Sequence, residues 1–438
     1  MSITVDEIYS VLLARAGEGQ PRPRLEPTRL ALEALGDPQL AAPIVHITGT
    51  NGKSSTARIT ESLLRATGLR TGLFISPHLV NFTERFNING EPVPDEMLIE
   101  VWESVAPILE FVDEKLKAEG KLRLSFFEAI TALGFAIFAD APVDVVVLEV
   151  GMGGAWDATN AADADVAVFT PIDLDHTHVL GNTIHEVAET KSGIIKDGSI
   201  VVSSAQAPEG LEVLARASKG HEFLLEGEAF EVTSVARAVG GQVFSMRFAG
   251  KELNDLFLPL FGEYQSHNAA LAIVAASSLL LESGGVLEED VIAEGLALAK
   301  SPGRLERISS EPVILVDAAH NPHGVRALTN AVLENFAPEK LLLVFGVLND
   351  KDAAGVIEIL QPLASQIIVT QSESERAVPA DELAELFTHP NLSVISDAEE
   401  AFRSAKEIAS QEGALVLITG SITLIGEAVA LARTEGWK

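Results

Sequence analysis

The chain contains no cysteine. Disulfide staples, thiolate zinc sites and a cysteine nucleophile are therefore excluded together. Positive charge is scarce. Against 63 Asp and Glu stand 31 Lys and Arg, a net charge of −32, so the surface as a whole repels nucleic acid and anionic membranes. An anionic ligand must then be met by local lysines, arginines, backbone N–H groups or metal ions. No apolar run reaches membrane-spanning length, and no charged N-terminal stretch leads into an apolar signal core. A soluble cytoplasmic protein is the expectation. Internal repeats and low-complexity tracts are also missing. What is present is a 438-residue chain with 47% hydrophobic residues, enough for real cores and long enough for two domains.

Apolar β-rich runs alternate with helical patterns. "PIVHIT" (43–48), "TGLFI" (71–75), "DVVVLEV" (144–150), "DVAVFT" (165–170) and "SIVVS" (199–203) read as strands. Helices are expected from Lys53 to Thr67, stopped by Gly68, and over 94–118 and 125–139. Such alternation predicts a mainly parallel sheet covered by helices. From 221 to 261 the runs shorten, which suggests an antiparallel addition, and 266–300 is helix-rich. "KSPGRLE" (300–306) carries Pro-Gly and marks a domain boundary. Beyond it "VILVDAA", "KLLLVFGV", "SQIIVT", "LSVIS" and "ALVLITG" each precede a helical pattern. A second, smaller Rossmann-like domain over 301–438 is expected. It has no G-x-G-x-x-G after its first strand, which argues against a dinucleotide site.

The chemistry concentrates in a few stretches. "GTNGKSS" (49–55) follows a buried strand and opens a helix. The usual phosphate loop needs a glycine five residues before Gly52, where Ile47 stands. Even so, the turn would offer N–H groups to phosphate at the positive end of a helix. Lys53 would reach the β- and γ-phosphates and Ser54 could ligate Mg²⁺; the bland alternative is an ordinary turn with a solvated lysine. In "LEVGMGGAWDATN" (148–160), Glu149 ends an apolar strand. A carboxylate there is costly unless it meets a cation or hydrogen-bond donors; the alternative is an acid facing water. His176 in "DHTH" could be a metal ligand or a structural histidine. Lys191 in "AETKSGIIK" reads in isolation as a solvated helix lysine.

Together these stretches resemble the folylpolyglutamate synthase/dihydrofolate synthase branch of the Mur-ligase superfamily. That family's shortened phosphate loop stands here as Gly49 to Lys53. "SPHL" (76–79), "ERFNING" (84–90), "LEVGMGGAWDATN" and "DHTHVLGNTIHEVAETKSGIIK" continue the pattern. So do "GEYQSHNAALA" (262–272), "PGRLE" (302–306), "DAAHNP" (317–322), "NDKD" (349–352) and "TGSITLIGE" (419–427), all in order from about Leu25 onward.

The resemblance implies a Mur-ligase architecture. A P-loop domain over 1–300 would hold ATP and a pterin pocket, and a C-terminal domain over 301–438 would complete the ATP and glutamate site. It implies ATP-dependent addition of L-glutamate to dihydropteroate or folates through an acyl phosphate. Gly49, Thr50, Asn51, Gly52, Lys53, Ser54 and Ser55 would contact ATP, with Asn268, Arg304 and Asp317. Two Mg²⁺ sites would draw on Ser54, Ser76, Glu149, His176 and Lys191, the lysine carbamylated, and a monovalent cation is a further expectation. Lys53, Lys191 and His320 would be catalytic, and His320 and Ser421 would bind glutamate. Ser125, Phe126, Phe127, Glu128, Trp156, Asp157 and Ala158 would line the pterin pocket, although Phe127 also reads as core. The partners are small molecules only, with a monomer expected. Two departures stand out: Ser54 where many members have glycine, and Ala155 where arginine is common. A Mur-type ligase acting on a cell-wall precursor and a non-catalytic P-loop regulator are the alternatives.

Overall fold

The computed structural model describes residues 3–17, 22–282 and 284–437. Contact grouping divides them into two compact units. One comprises the residues up to Val235 with Val243–Leu258 and His267–Ala299; the other comprises Ala236–Gln242, Pro259–Ser266 and the chain from Lys300 onward.

The first unit is built on one sheet. Its strands are β1 (Ile44–Thr48), β2 (Thr71–Phe74), β3 (Phe86–Ile88), β4 (Glu91–Pro92), β5 (Val145–Glu149), β6 (Val166–Phe169), β7 (Ile200–Ser203) and β8 (Phe223–Leu225), in the order β4-β3-β2-β5-β1-β6-β7-β8. β1 lies between β5 and β6, parallel to both, and all five of its residues are buried. Burial on both faces explains why its sequence is a continuous apolar run rather than an alternating one. The chain leaves β1 for one half of the sheet and later returns to build the other. The carboxyl ends of β5, β1 and β6 therefore form the crevice where open α/β sheets collect ligands.

Local signals set the covering helices. The helix Lys53–Ala66 ends at Thr67, just before Gly68 at φ +90°. Phe126–Asp140 starts from a capping box in which Ser125 and Glu128 bond reciprocally. It packs with Asp95–Ala118 over a core that includes Trp102, Phe126, Ile130 and Leu133. Burying each such large side chain is worth about 2 kcal/mol.

One expectation needs correction. The segment from 221 is not antiparallel at its start, because Phe223–Leu225 extends the main sheet in parallel with β7. The antiparallel part is β9 (Phe230–Ala238), β10 (Gly241–Phe248) and β11 (Lys251–Leu258), a separate three-stranded sheet. β8 has only three residues, too few to show a period that separates it from the strands after it.

The second unit holds β12 (Glu306–Ser310), β13 (Val313–Asp317), β14 (Leu341–Phe345), β15 (Gln366–Val369), β16 (Leu392–Val394) and β17 (Leu415–Thr419), in the order β12-β13-β17-β14-β15-β16. All pairings are parallel except β12 with β13. Leu315, Leu343, Phe345, Ile367 and Leu417 are central to its core. The architecture is mixed α/β, with a parallel-rich N-terminal sheet and a C-terminal sheet of its own. No helix among the described residues is long and apolar enough to cross a membrane.

Candidate active site

The phosphate loop is shaped by what surrounds it. Gly49 has φ +146°, and a Cβ there would fall 1.8 Å from Thr170 Oγ1. Gly52 has φ +92°, and a Cβ would meet Asn268 Oδ1 at 2.6 Å. Only glycine fits either place. The loop is tied to the segment after β6: Thr50 N donates to Pro171 O at 2.9 Å, and Thr50 Oγ1 donates to Asp173 O at 2.8 Å. Asn268 thus lies against the loop, as expected, whereas the Thr50–Asp173 tie has no signature in spacing. Asn51 is half-buried in the loop and Ser55 is buried in the first helical turn.

Two lysines converge on one carbonyl. Lys53 Nζ donates to Gly49 O at 3.0 Å and to Thr50 O at 3.2 Å, and Lys191 Nζ donates to Gly49 O at 2.7 Å. Lys191 is 3% exposed. Burial, followed by the charge of Lys53, holds its amine well below the usual lysine range, against the opposing pull of Asp175 and Asp157. It is no solvated helix lysine.

Glu149 is also buried. Ser54 Oγ donates to its Oε1 at 2.8 Å and Ser76 N donates to its Oε2 at 3.2 Å. Ser54 and Ser76, expected at two different Mg²⁺ sites, are thus both hydrogen-bonded to Glu149. His176 follows β6 at the same carboxyl edge. It sits at φ +49°, with its backbone N–H bonded to Asp175 Oδ1 at 2.8 Å and its Nε2 3.9 Å from that oxygen. Among the described residues no three His, Asp or Glu side chains gather as a metal cluster. Mg²⁺ does not need one, since it keeps several waters and leans on one or two protein oxygens plus substrate phosphates. Ser54 Oγ beside the Glu149 carboxylate, at the start of a helix, fits that requirement.

The expected pterin residues divide. Phe127 is half-buried and presses on the glycine turn, where a Cβ on Gly151 would fall 2.4 Å from its Cζ. Phe126 is core, with the Arg85 guanidinium 5.3 Å from its ring centroid. Ser125 and Glu128 are occupied in the helix cap, and Glu128 also takes Arg24 at 2.8 Å through each oxygen. Trp156 is half-buried and Ala158 buried. Asp157 is buried, its oxygens accepting from Met152 N (2.8 Å), Thr159 N (3.0 Å) and Thr159 Oγ1 (2.5 Å). Ala155 is exposed.

In the second unit Asp317 ends β13 and is buried. Its oxygens accept from Leu305 N at 2.7 Å and Ala319 N at 2.8 Å. Burial raises its pKa, with the nearby charge of Arg304 opposing. His320 Nδ1 donates to Ala318 O at 2.8 Å. Ser421 caps the helix Ile422–Glu435 just beyond β17, the neighbour of β13. Asp317, His320 and Ser421 thus leave adjacent strands at one edge of this sheet.

Comparison with known proteins places the chain in a family. Residues 47–276 match the Mur ligase middle domain, and residues 303–422 match the Mur ligase glutamate ligase domain. A dihydrofolate synthase/folylpolyglutamate synthase of Mycobacterium tuberculosis is 38% identical over 98% of this chain and 95% of its own. The structure of the M. tuberculosis folylpolyglutamate synthase complexed with ADP and AMPPCP superposes with a TM-score of 0.91 at 36% identity, covering 98% of both chains. An Escherichia coli FolC structure in complex with DHPP and ADP gives 0.86 at 29% identity, covering 99% of both. With matches of this length in both sequence and fold, the chain belongs to the dihydrofolate synthase/folylpolyglutamate synthase family of Mur ligases.

Proposed function

We propose that the protein joins L-glutamate to the free carboxylate of dihydropteroate, of folates, or of both, at the expense of ATP. The observation that carries this reading is the buried set around Gly49: two lysines on its carbonyl, with the Ser54–Glu149 pair beside the loop. A non-catalytic nucleotide switch has no use for such a set.

The substrate carboxylate attacks the γ-phosphorus, the bond to the ADP oxygen breaks, and an acyl phosphate forms. The glutamate amine then attacks the acyl carbon, phosphate leaves, and the amine loses its proton. Two anions must meet, so positioned cations are the main requirement. The loop N–H groups of 49–55 and Lys53 hold the phosphates, with Asn268 lying against the loop at Gly52. Ser54 would ligate the Mg²⁺ that accompanies ATP, and Ser76, Glu149 and His176 would hold a second metal; both would neutralise charge on the transferring phosphoryl group. Lys191, its amine shifted by burial toward the neutral form that reacts, takes up CO₂: a nitrogen–carbon bond forms, a proton leaves, and the resulting carbamate adds to the oxygen donors. Phe127 and the Gly151–Ala158 turn accept the pterin, while His320 and Ser421 face the glutamate. The enzyme works as a monomer in the cytoplasm.

ADP release is expected to require a pteroate or folate, L-glutamate and Mg²⁺ together, with a mass gain of one glutamyl residue. Turnover of a UDP-linked cell-wall precursor, with none on pteroates or folates, would overturn the assignment.

A further inference from the structure

His46 lies in the middle of β1 and is fully buried. Its Nε2 is 2.9 Å from Thr159 Oγ1, 113 residues further along the chain. The direction of that bond follows from the next one. Thr159 has a single hydroxyl proton, and its Oγ1 gives it to Asp157 Oδ1 at 2.5 Å. Burial alone would favour a protonated Asp157, but both its oxygens take backbone N–H groups, which favour the carboxylate; a carboxylate only accepts, so the Thr159 oxygen must itself accept from His46. The imidazole is therefore neutral with its proton on Nε2, which agrees with a pKa pushed down to about 3, mainly by burial. Nδ1 is then a buried acceptor with no hydrogen-bond partner. A buried acceptor left unpaired is a cost. A side chain that served packing alone would be better replaced by an aliphatic one.

The chain of bonds ends on the glycine turn. Asp157 receives Met152 N through its other oxygen and Thr159 N through the first. The carboxylate therefore fixes both ends of the segment 152–159. Gly151, next to that segment, carries the ring of Phe127. On its other side Thr48 Oγ1, two residues after His46, donates to Gly153 O at 2.7 Å. The strand that leads into the phosphate loop thus also supports the turn assigned above to the pterin.

We infer that His46 is a positioning residue for the pterin-bearing substrate: its Nε2–H, handed on through Thr159, holds Asp157 and with it the turn on which the ring is received. The inference rests on the proposed function. It separates Asp157 and Thr159 from the nucleotide half of the site, although His46 is only three residues from Gly49.

Steady-state kinetics with the better of dihydropteroate and tetrahydrofolate tests this, together with thermal melts. His46→Leu and Thr159→Val should each raise the Michaelis constant for the pterin substrate about tenfold, the loss expected for one bond feeding a charged group. The Michaelis constant for ATP should not change, and the melting temperature of His46→Leu should be no lower than that of the parent. His46→Gln, which keeps a donor on a planar group, should recover most of the loss. An unchanged pterin constant, an equal rise for ATP, or a His46→Gln as weak as His46→Leu would each overturn the inference. If His46→Leu does not fold, Thr159→Val carries the same comparison. A parent protein that turns over no pterin substrate would instead overturn the functional reading, and the inference with it.

Discussion

Glu149 and Asp317 are both buried acids at the carboxyl ends of parallel strands, one in each unit, yet they are satisfied in different ways. Asp317 is held by two backbone N–H groups within 12 residues of itself, those of Leu305 and Ala319. Glu149 is held by the Ser54 hydroxyl and the Ser76 N–H, which are 95 and 73 residues away. A backbone N–H can only donate, so the surroundings of Asp317 admit nothing but an acceptor. A serine hydroxyl can turn and accept, so the surroundings of Glu149 can be rearranged, as a site that exchanges ligands requires. Satisfaction by fixed local donors marks a structural acid, and satisfaction by a movable distant one marks a candidate ligand.

Lys191 offers the largest break in this contrast, because it lies on the exchangeable side. Lys191→Ala is expected to lower the rate of glutamate-dependent ADP release by about 10²–10³-fold, the scale for losing one preorganised electrostatic group. The circular dichroism spectrum should be retained. Full activity at saturating ATP and Mg²⁺ would remove Lys191 from the mechanism.

Amide substitution sharpens the comparison directly. In Glu149→Gln the new NH₂ can donate to a reoriented Ser54 hydroxyl while the remaining oxygen keeps Ser76. Chemical denaturation should therefore show little loss of stability, with activity strongly reduced. In Asp317→Asn the NH₂ faces a backbone N–H, which leaves a buried donor unpaired at a cost of about 2 kcal/mol. Equal stability losses in the two variants would mean that the distinction between the acids is wrong.

The smallest effect belongs to a third acid. Glu427, half-buried on the helix Ile422–Glu435, has its pKa raised to about 7. Burial is the main cause, assisted by the charges of Glu373, Asp397 and Glu399 and opposed by the N–H it receives from Glu373. Its folded pKa lies above the ordinary glutamate value of 4.5, so the folded state holds the proton more tightly. Stability associated with this group is present at low pH and is lost as pH rises from about 4.5 through 7. Glu427→Gln keeps the acceptor for Glu373 N. It should stabilise the protein above pH 7 by about 1 kcal/mol, after allowance for solvent screening, and have no effect near pH 4. A pH-independent difference between variant and parent would remove Glu427 as its source.

Much of this molecule could be read before its structure. β1, β2, β5, β6 and β7 are apolar runs with helices between them, and their ends differ from the expected ones by a residue or so. The phosphate loop was legible from Gly49, Gly52 and Lys53 because its chemistry is local. What could not be read depends on distant parts of the chain meeting. β12 follows the Pro-Gly boundary and pairs antiparallel with β13, but nothing in "ERISS" separates an edge strand from a loop. His46 is one polar letter in an apolar run until Thr159 is brought beside it. Arg85, buried against His78 and Phe126, is likewise hidden, because arginine in a sequence reads as surface. Phe126 and Phe127 show the same limit at close range. Adjacent and chemically identical, both pack on one core, but Phe126 is wholly enclosed there while Phe127 is half-buried and also meets the turn at Gly151.

The second unit includes Pro259–Ser266, some forty positions ahead of its main run from Lys300. Phe261 stacks edge-on against Phe336 with ring centroids 5.0 Å apart, and both Phe261 and Tyr264 pack on the core that holds Leu315, Leu343 and Leu417. A fragment cut at the sequence boundary near residue 300 would therefore carry off two aromatic panels of its neighbour's interior.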